Sequence, residues 1–163
     1  MTHSYNGAKF RFLSLLSECE THAKRITQAK EKCSGFFPLN KENYSRLSED
    51  QIEHIDQLVY RFTKLQDALG AKLFPAIVAV LREDAARLTV FDVLNELERV
   101  EILSDAGQWM NLREIRNELT HDYENDPEEG SQHLNDLFRS TDVLVTMQNN
   151  AQVFVNERIL PFL

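Results

Sequence analysis

The stretch Ser48-Glu49-Asp50-Gln51-Ile52-Glu53-His54-Ile55-Asp56-Gln57-Leu58-Val59-Tyr60-Arg61-Phe62-Thr63-Lys64-Leu65 decides the fold class. Ser48 with Gln51 three residues later is a capping box, which starts a helix by satisfying its first backbone N–H groups. Behind it, Ile52, Ile55, Leu58, Val59, Phe62 and Leu65 recur at steps of one, three and four. That spacing gathers them on one side of an α-helix. It predicts a helix running to about Leu69.

The same spacing extends in both directions. Upstream, Phe12, Leu15, Leu16, Cys19, Ala23 and Ile26 form one stripe, predicting a first helix from about Ala8 to Lys32. A loop follows, Ser34 to Leu47, with Phe36 and Phe37 expected to tuck onto the core. Downstream, Lys72 to Leu81 is strongly apolar, and Pro75 is expected to kink or restart the helix there. Thr89 is placed to cap a helix carrying Val93, Leu94, Leu97 and Val100. Ser104 or Asp105 is placed to cap the next, with Trp109, Leu112, Ile115, Arg116 and Leu119. Asp126-Pro127-Glu128-Glu129 opens the last one: an acid at the cap, proline at the first position, acids in the first turn. Leu134, Leu137, Phe138, Thr141, Leu144, Val145, Val155 and Ile159 then continue it. No stretch alternates with period two for long. The chain therefore reads as all-α, an up-down helical bundle of four long helices, or five with a short one.

At 163 residues the chain fits one domain, 1–163, long enough to bury a core without staples. Residues 1–47 form a basic helix and loop packed on the bundle. Only five Gly and four Pro are present, too few for the turns of a sandwich or barrel. No long uncharged apolar run reads as a membrane span, and the polar start does not read as a signal peptide. Cys19 and Cys33 on one helix stand roughly 21 Å apart, too far for a disulfide. Both are expected reduced, and the protein cytoplasmic.

Net charge is −8. Residues 1–47 hold eight Lys/Arg and four acids, leaving ten and 22 for 48–163, so the two segments carry +4 and −12. The basic first helix is either a solvated face or a surface for RNA or an acidic partner.

The absences narrow the chemistry. No glycine-rich phosphate loop, zinc-spaced Cys/His cluster or G-x-S-x-G elbow is present. Glu118-x-x-His121 matches half of a di-iron pattern that bundles carry twice, so no metal and no cofactor is expected. His3, His22, His54 and His133 are single residues with no partner pattern.

One segment concentrates polar chemistry: Arg113-Glu114-Ile115-Arg116-Asn117-Glu118-Leu119-Thr120-His121-Asp122-Tyr123. Histidine exchanges protons near neutral pH. Arginine grips phosphate and stabilises charge developing on it. Asparagine orients a phosphate oxygen. The reaction this set suits is metal-independent RNA cleavage with the substrate's own 2′-hydroxyl as nucleophile. On an ideal helix, Arg116 and His121 lie about 140° apart and roughly 7.5 Å along the axis. A kink near Thr120, or a second subunit, is needed to bring both to one groove. The region Asp105 to Tyr123 holds two Arg against four acids, so the field for RNA has to come from the basic first helix or from dimer geometry.

Arg116-Asn117-Glu118-Leu119-Thr120-His121-Asp122-Tyr123 resembles the signature of the HEPN superfamily, Arg-x(4–6)-His. It is closest to the HepT branch, Arg-Asn-x-x-x-His-x-Tyr, and matches all four defining positions. Leu58 to Asp67 is also similar to the earlier bundle helix of these proteins, and the resemblance spans about Gln51 to Met147. It implies the toxin of a HEPN–MNT toxin–antitoxin pair, a homodimeric, metal-independent endoribonuclease. By motif, Arg116 holds the scissile phosphate, His121 is the general acid/base and Asn117 supports either. Tyr123 matches the tyrosine that the cognate MNT nucleotidyltransferase antitoxin modifies with AMP, a bulky anion that repels RNA.

Two other readings compete. The chain is a non-catalytic substrate-binding or regulatory subunit of a nucleotidyltransferase, or it is an adaptor bundle whose Arg and His are surface residues. Both functional readings expect an oligomer. The apolar residues of Leu73 to Leu81 exceed what one amphipathic face needs, and part of that stretch is the expected interface.

Overall fold

A computed structural model describes residues 2–119 and 125–163. Among them the chain is an all-α helical bundle with no strand. Helix α1 (Thr2–Cys33) starts six residues before the expected boundary, because nothing in the polar lead-in breaks a helix. It is roughly 48 Å long. Phe12, Leu15, Leu16, Cys19, Ala23, Ile26, Ala29 and Cys33 form its buried stripe. Both cysteines are free and buried. Burial pushes the Cys19 thiol up to about 12 and the Cys33 thiol to about 11, so neither is a nucleophile near neutral pH.

The loop after α1 contains a one-turn helix, α2 (Lys41–Tyr44), that the periodicity does not reveal. Its Asn40 cap exchanges hydrogen bonds with Asn43. The loop is tied to the far end of the chain. Asn135 accepts from the Leu39 N–H at 2.7 Å and donates to the Leu39 carbonyl at 2.8 Å. Phe37 stacks on Phe138 with ring centres 4.4 Å apart. Phe36 and Phe37 pack on the core as expected.

Helix α3 (Glu49–Ala68) starts at the capping box: Ser48 Oγ accepts from the Gln51 N–H at 3.2 Å and Gln51 Oε1 from the Ser48 N–H at 3.0 Å. Pro75 does not break the chain. The helix passes through a π-helical turn at Leu69–Leu73, with the Phe74 N–H bonded to the Leu69 carbonyl, and continues as α4 (Phe74–Leu81). Proline has no N–H and its ring collides with the carbonyl one turn earlier. The extra residue of the π turn sits just ahead of Pro75 and shifts the local hydrogen-bond register.

Most of the apolar surplus of Leu73 to Leu81 is not on the surface. Leu73, Phe74, Ala76, Ile77 and Val78 are buried in the chain's own core, and Val80 alone among the large residues of this stretch is half exposed. The apolar excess is that of a helix enclosed on most sides.

Thr89 caps α5 (Val90–Arg99) in a third capping box, with Asp92, after those at Asn40 and Ser48. At its end Glu101 takes a left-handed φ of 62°, and the Ile102 N–H reaches back to the Leu97 carbonyl at 2.9 Å. Of the two candidate caps for α6 (Ala106–Leu119), Asp105 takes a backbone N–H, its Oδ1 accepting from Gly107 at 2.7 Å, while the Ser104 hydroxyl donates to the Gln108 side chain. Asp126 caps α7 (Pro127–Arg158) by accepting from the Glu128 and Glu129 N–H groups. Helix α1 packs on α3 and α7, and α6 packs on α7 and α3. One continuous core joins α1 to Ile159.

Candidate functional site

Helix α6 buries Trp109, Leu112, Ile115 and Leu119. That stripe fixes what the rest of the helix presents. Trp109, Arg113, Arg116 and Asn117 follow at intervals of four, three and one, one side of the helix over two turns. This side turns toward the end of α3 and the π turn. Between them lies a cavity of about 280 Å³ lined by these four residues together with Gln66, Asp67, Gly70 and others.

Gly70 allows the helices to approach. A Cβ built there would stand 2.7 Å from Trp109 Cζ2, inside any tolerable contact. Trp109 in turn meets Phe74 edge-on, with ring centres 5.0 Å apart.

Arg116 is held by Asp67. Its Nη2 lies 3.0 Å from Asp67 Oδ1 and 3.4 Å from Oδ2, with the arginine side chain one-third exposed. The guanidinium is thus fixed at the cavity wall, while its Nε is buried and has no hydrogen-bond partner among the described residues. Gln66 is 3% exposed, and neither its Nε2 nor its Oε1 has such a partner. Three buried polar atoms on two residues lining one cavity lack partners, where folded proteins leave few anywhere.

The structure therefore brings Arg116 and Asn117 of the expected site to one cavity. Their two companions, His121 and Tyr123, lie outside the described residues, as does the stretch near Thr120 where a kink was expected. Among the described residues, no three His, Cys, Asp or Glu side chains gather as a metal site.

Helix α3 supplies cations that the spacing around Arg116 does not reveal. Tyr60, Lys64 and Asp67 share one face of α3. Lys64 Nζ sits 5.6 Å from the Tyr60 ring centre and the Arg61 guanidinium 5.4 Å from it. This aromatic and basic patch begins two turns before Asp67 and ends one turn before it. Arg61 also contacts His22 Nδ1 at 3.1 Å. Partial burial and the neighbouring Arg61 charge lower the His22 pKa, so it stays neutral and takes the tautomer that accepts from Arg61. His22 is a satisfied structural residue. His133 lies 3.8 Å from both Glu118 and Glu129, apart from the cavity lining.

Gln66, Asp67, Gly70, Trp109 and Arg113 are the site residues absent from the motif. Gln66 carried a signal: it lies four residues after Phe62 and eight after Leu58, a polar residue on an apolar stripe.

No family model matches the chain, and neither does any curated protein or solved structure.

Proposed function

We propose that this chain is a HEPN-type endoribonuclease, the toxin of a toxin–antitoxin pair whose partner is an MNT nucleotidyltransferase. The observation that carries the reading is Arg116, set in the wall of a cavity beside Asn117 and Arg113 at the start of the Arg-Asn-x-x-x-His-x-Tyr motif. Two arginines on adjacent turns offer parallel N–H donors to a phosphate. The Tyr60–Arg61–Lys64 patch adds positive field and an aromatic face along the approach, which supports RNA binding by a chain of net charge −8.

In this reading the RNA's 2′-oxygen attacks the adjacent phosphorus while His121 takes its proton. The bond from phosphorus to the 5′-oxygen breaks, and a proton returns to that leaving oxygen. The products are a 2′,3′-cyclic phosphate and a 5′-hydroxyl end. Arg116 and Arg113 stabilise the charge on the phosphoryl oxygens. AMP on Tyr123 would add negative charge to the motif and repel the RNA.

One observation favours the non-catalytic subunit reading: Arg116 is already neutralised by Asp67. Growth on induction separates the two. Wild-type chain is expected to arrest growth, His121→Ala to abolish the arrest, and co-expressed partner to suppress it. A well-folded wild type that leaves growth untouched supports the subunit reading.

A further inference from the structure

The cavity beside Arg116 has more in it than a phosphate site requires. A phosphate needs the guanidinium groups at the wall and can accept from an amide N–H, but an anion has no use for an amide carbonyl oxygen. Yet Gln66, 3% exposed and lining the same cavity, has no hydrogen-bond partner for either amide atom among the described residues. A buried amide without partners costs stability, and an apolar residue of the same shape would remove that cost. Such an amide fits a ligand that supplies its partners.

The ligand's shape follows from the walls. About 280 Å³ is just below the small end, roughly 300 Å³, of ordinary small-molecule sites. Trp109 and Gly70, packed on each other at the approach described above, form one wall, and Gln66, Arg113 and Arg116 line the rest. A space of this volume takes a single ring. A primary amide presents one donor and one acceptor side by side, the complement of a nucleobase edge. Two turns of α6 then lead from Trp109 to Arg113 and Arg116, the reach of one nucleotide from base to phosphate.

We propose that this cavity seats one nucleobase of the bound RNA, with the Gln66 amide reading the base edge and Arg113 and Arg116 holding the adjoining phosphate. Single-stranded RNA is read in this way, by an unstacked base taken into a pocket and hydrogen-bonded on its edge. The seat makes the protein base-selective at one position next to the cleaved bond. It rests on the ribonuclease reading for the identity of the strand.

Trp109 is the single tryptophan of the chain, so intrinsic fluorescence reports on this cavity directly. The experiment titrates the full-length protein with the 5′-monophosphates of adenosine, guanosine, cytidine and uridine, and with inorganic phosphate. One nucleotide is expected to quench Trp109 with an affinity at least tenfold above the weakest of the four, and phosphate to leave the emission unchanged. Gln66→Leu is expected to lose about tenfold in affinity for the preferred nucleotide and to level the four. Gln66→Met serves the same measurement if the leucine variant does not fold. Equal response to all four nucleotides, no response up to millimolar concentration, or a Gln66 variant that binds like wild type overturns the proposal. Cleavage of RNA and its loss in Arg116→Ala score the ribonuclease reading separately. Base-selective quenching in a protein that cuts no RNA upholds the seat and removes the nuclease. Cleavage lost in Arg116→Ala but unchanged in rate and sequence preference in Gln66→Leu removes the seat and leaves the nuclease standing.

Discussion

Asp67 and Arg116 are 49 residues apart in the chain and 3.0 Å apart in space. Their pairing has a consequence for the bound state: a phosphate arriving at Arg116 must compete with the Asp67 carboxylate. Both groups are partly exposed, so the pair contributes less than about 1 kcal/mol to folding. Asp67→Asn is therefore expected to leave the melting temperature nearly unchanged. It removes one negative charge next to the phosphate site, about 1 kcal/mol of repulsion at contact distance in water, and RNA affinity should rise roughly fivefold. Fluorescence anisotropy with a labelled RNA at two salt concentrations checks this, and affinity equal to or below wild type would remove Asp67 from the site. At this scale the sequence was half legible. Arg116 and Asn117 stand out because the motif groups them with a histidine and a tyrosine. Asp67 does not, because a partner on another helix leaves no mark in local spacing. Gln66 lies between these cases: its misfit on the Leu58–Phe62 stripe can be seen in the sequence, and the fold is needed to show that neither amide atom has a partner among the described residues.

The helices differ in how clearly their residues announce them. Starts were legible because caps are local: Ser48, Thr89 and Asp126 each accept the N–H groups that the pattern assigns them. The turn at Leu69–Leu73 was not, since Pro75 announces a disturbance without specifying its form. The chain absorbs it as a π turn, and that turn places Gly70 against Trp109. The register of the turn and the packing of α6 thus depend on one another. Gly70→Ala tests this dependence. Alanine gains about 1 kcal/mol in helix propensity. Its Cβ at 2.7 Å from a ring wedged against Phe74 costs about 1–3 kcal/mol of overpacking. The clash is expected to win, giving a net loss on the order of 1 kcal/mol and a shifted Trp109 emission maximum. Urea melts and fluorescence spectra read both, and a stabilised variant with unchanged emission would show that the helices separate freely here.

For the whole molecule, helical periodicity was enough to establish an all-α bundle, because each helix carries its own buried stripe. The meaning of an apolar surplus was not legible: the expected interface of Leu73 to Leu81 gives up Leu73, Phe74, Ala76, Ile77 and Val78 to the chain's own core, which only burial shows. The expected homodimer must therefore rest on site geometry. On an ideal helix Arg116 and His121 would lie about 140° apart, so a kink near Thr120 or a second copy has to bring both to one phosphate. A second copy facing the first would pair the arginine of one with the histidine of the other. That arrangement makes a prediction no monomer shares. Arg116→Ala and His121→Ala are each expected to be inactive alone, since every groove then lacks one group. Co-expressed, they form mixed dimers in which one groove has lost both groups and the other retains both. Growth arrest and RNA cleavage should return in the mixture, to about half the wild-type activity per mixed dimer if the grooves act independently. If each groove draws both groups from one chain, mixing rebuilds no complete groove and activity stays lost. Two inactive variants that restore each other would thus place the active site between two copies of this chain.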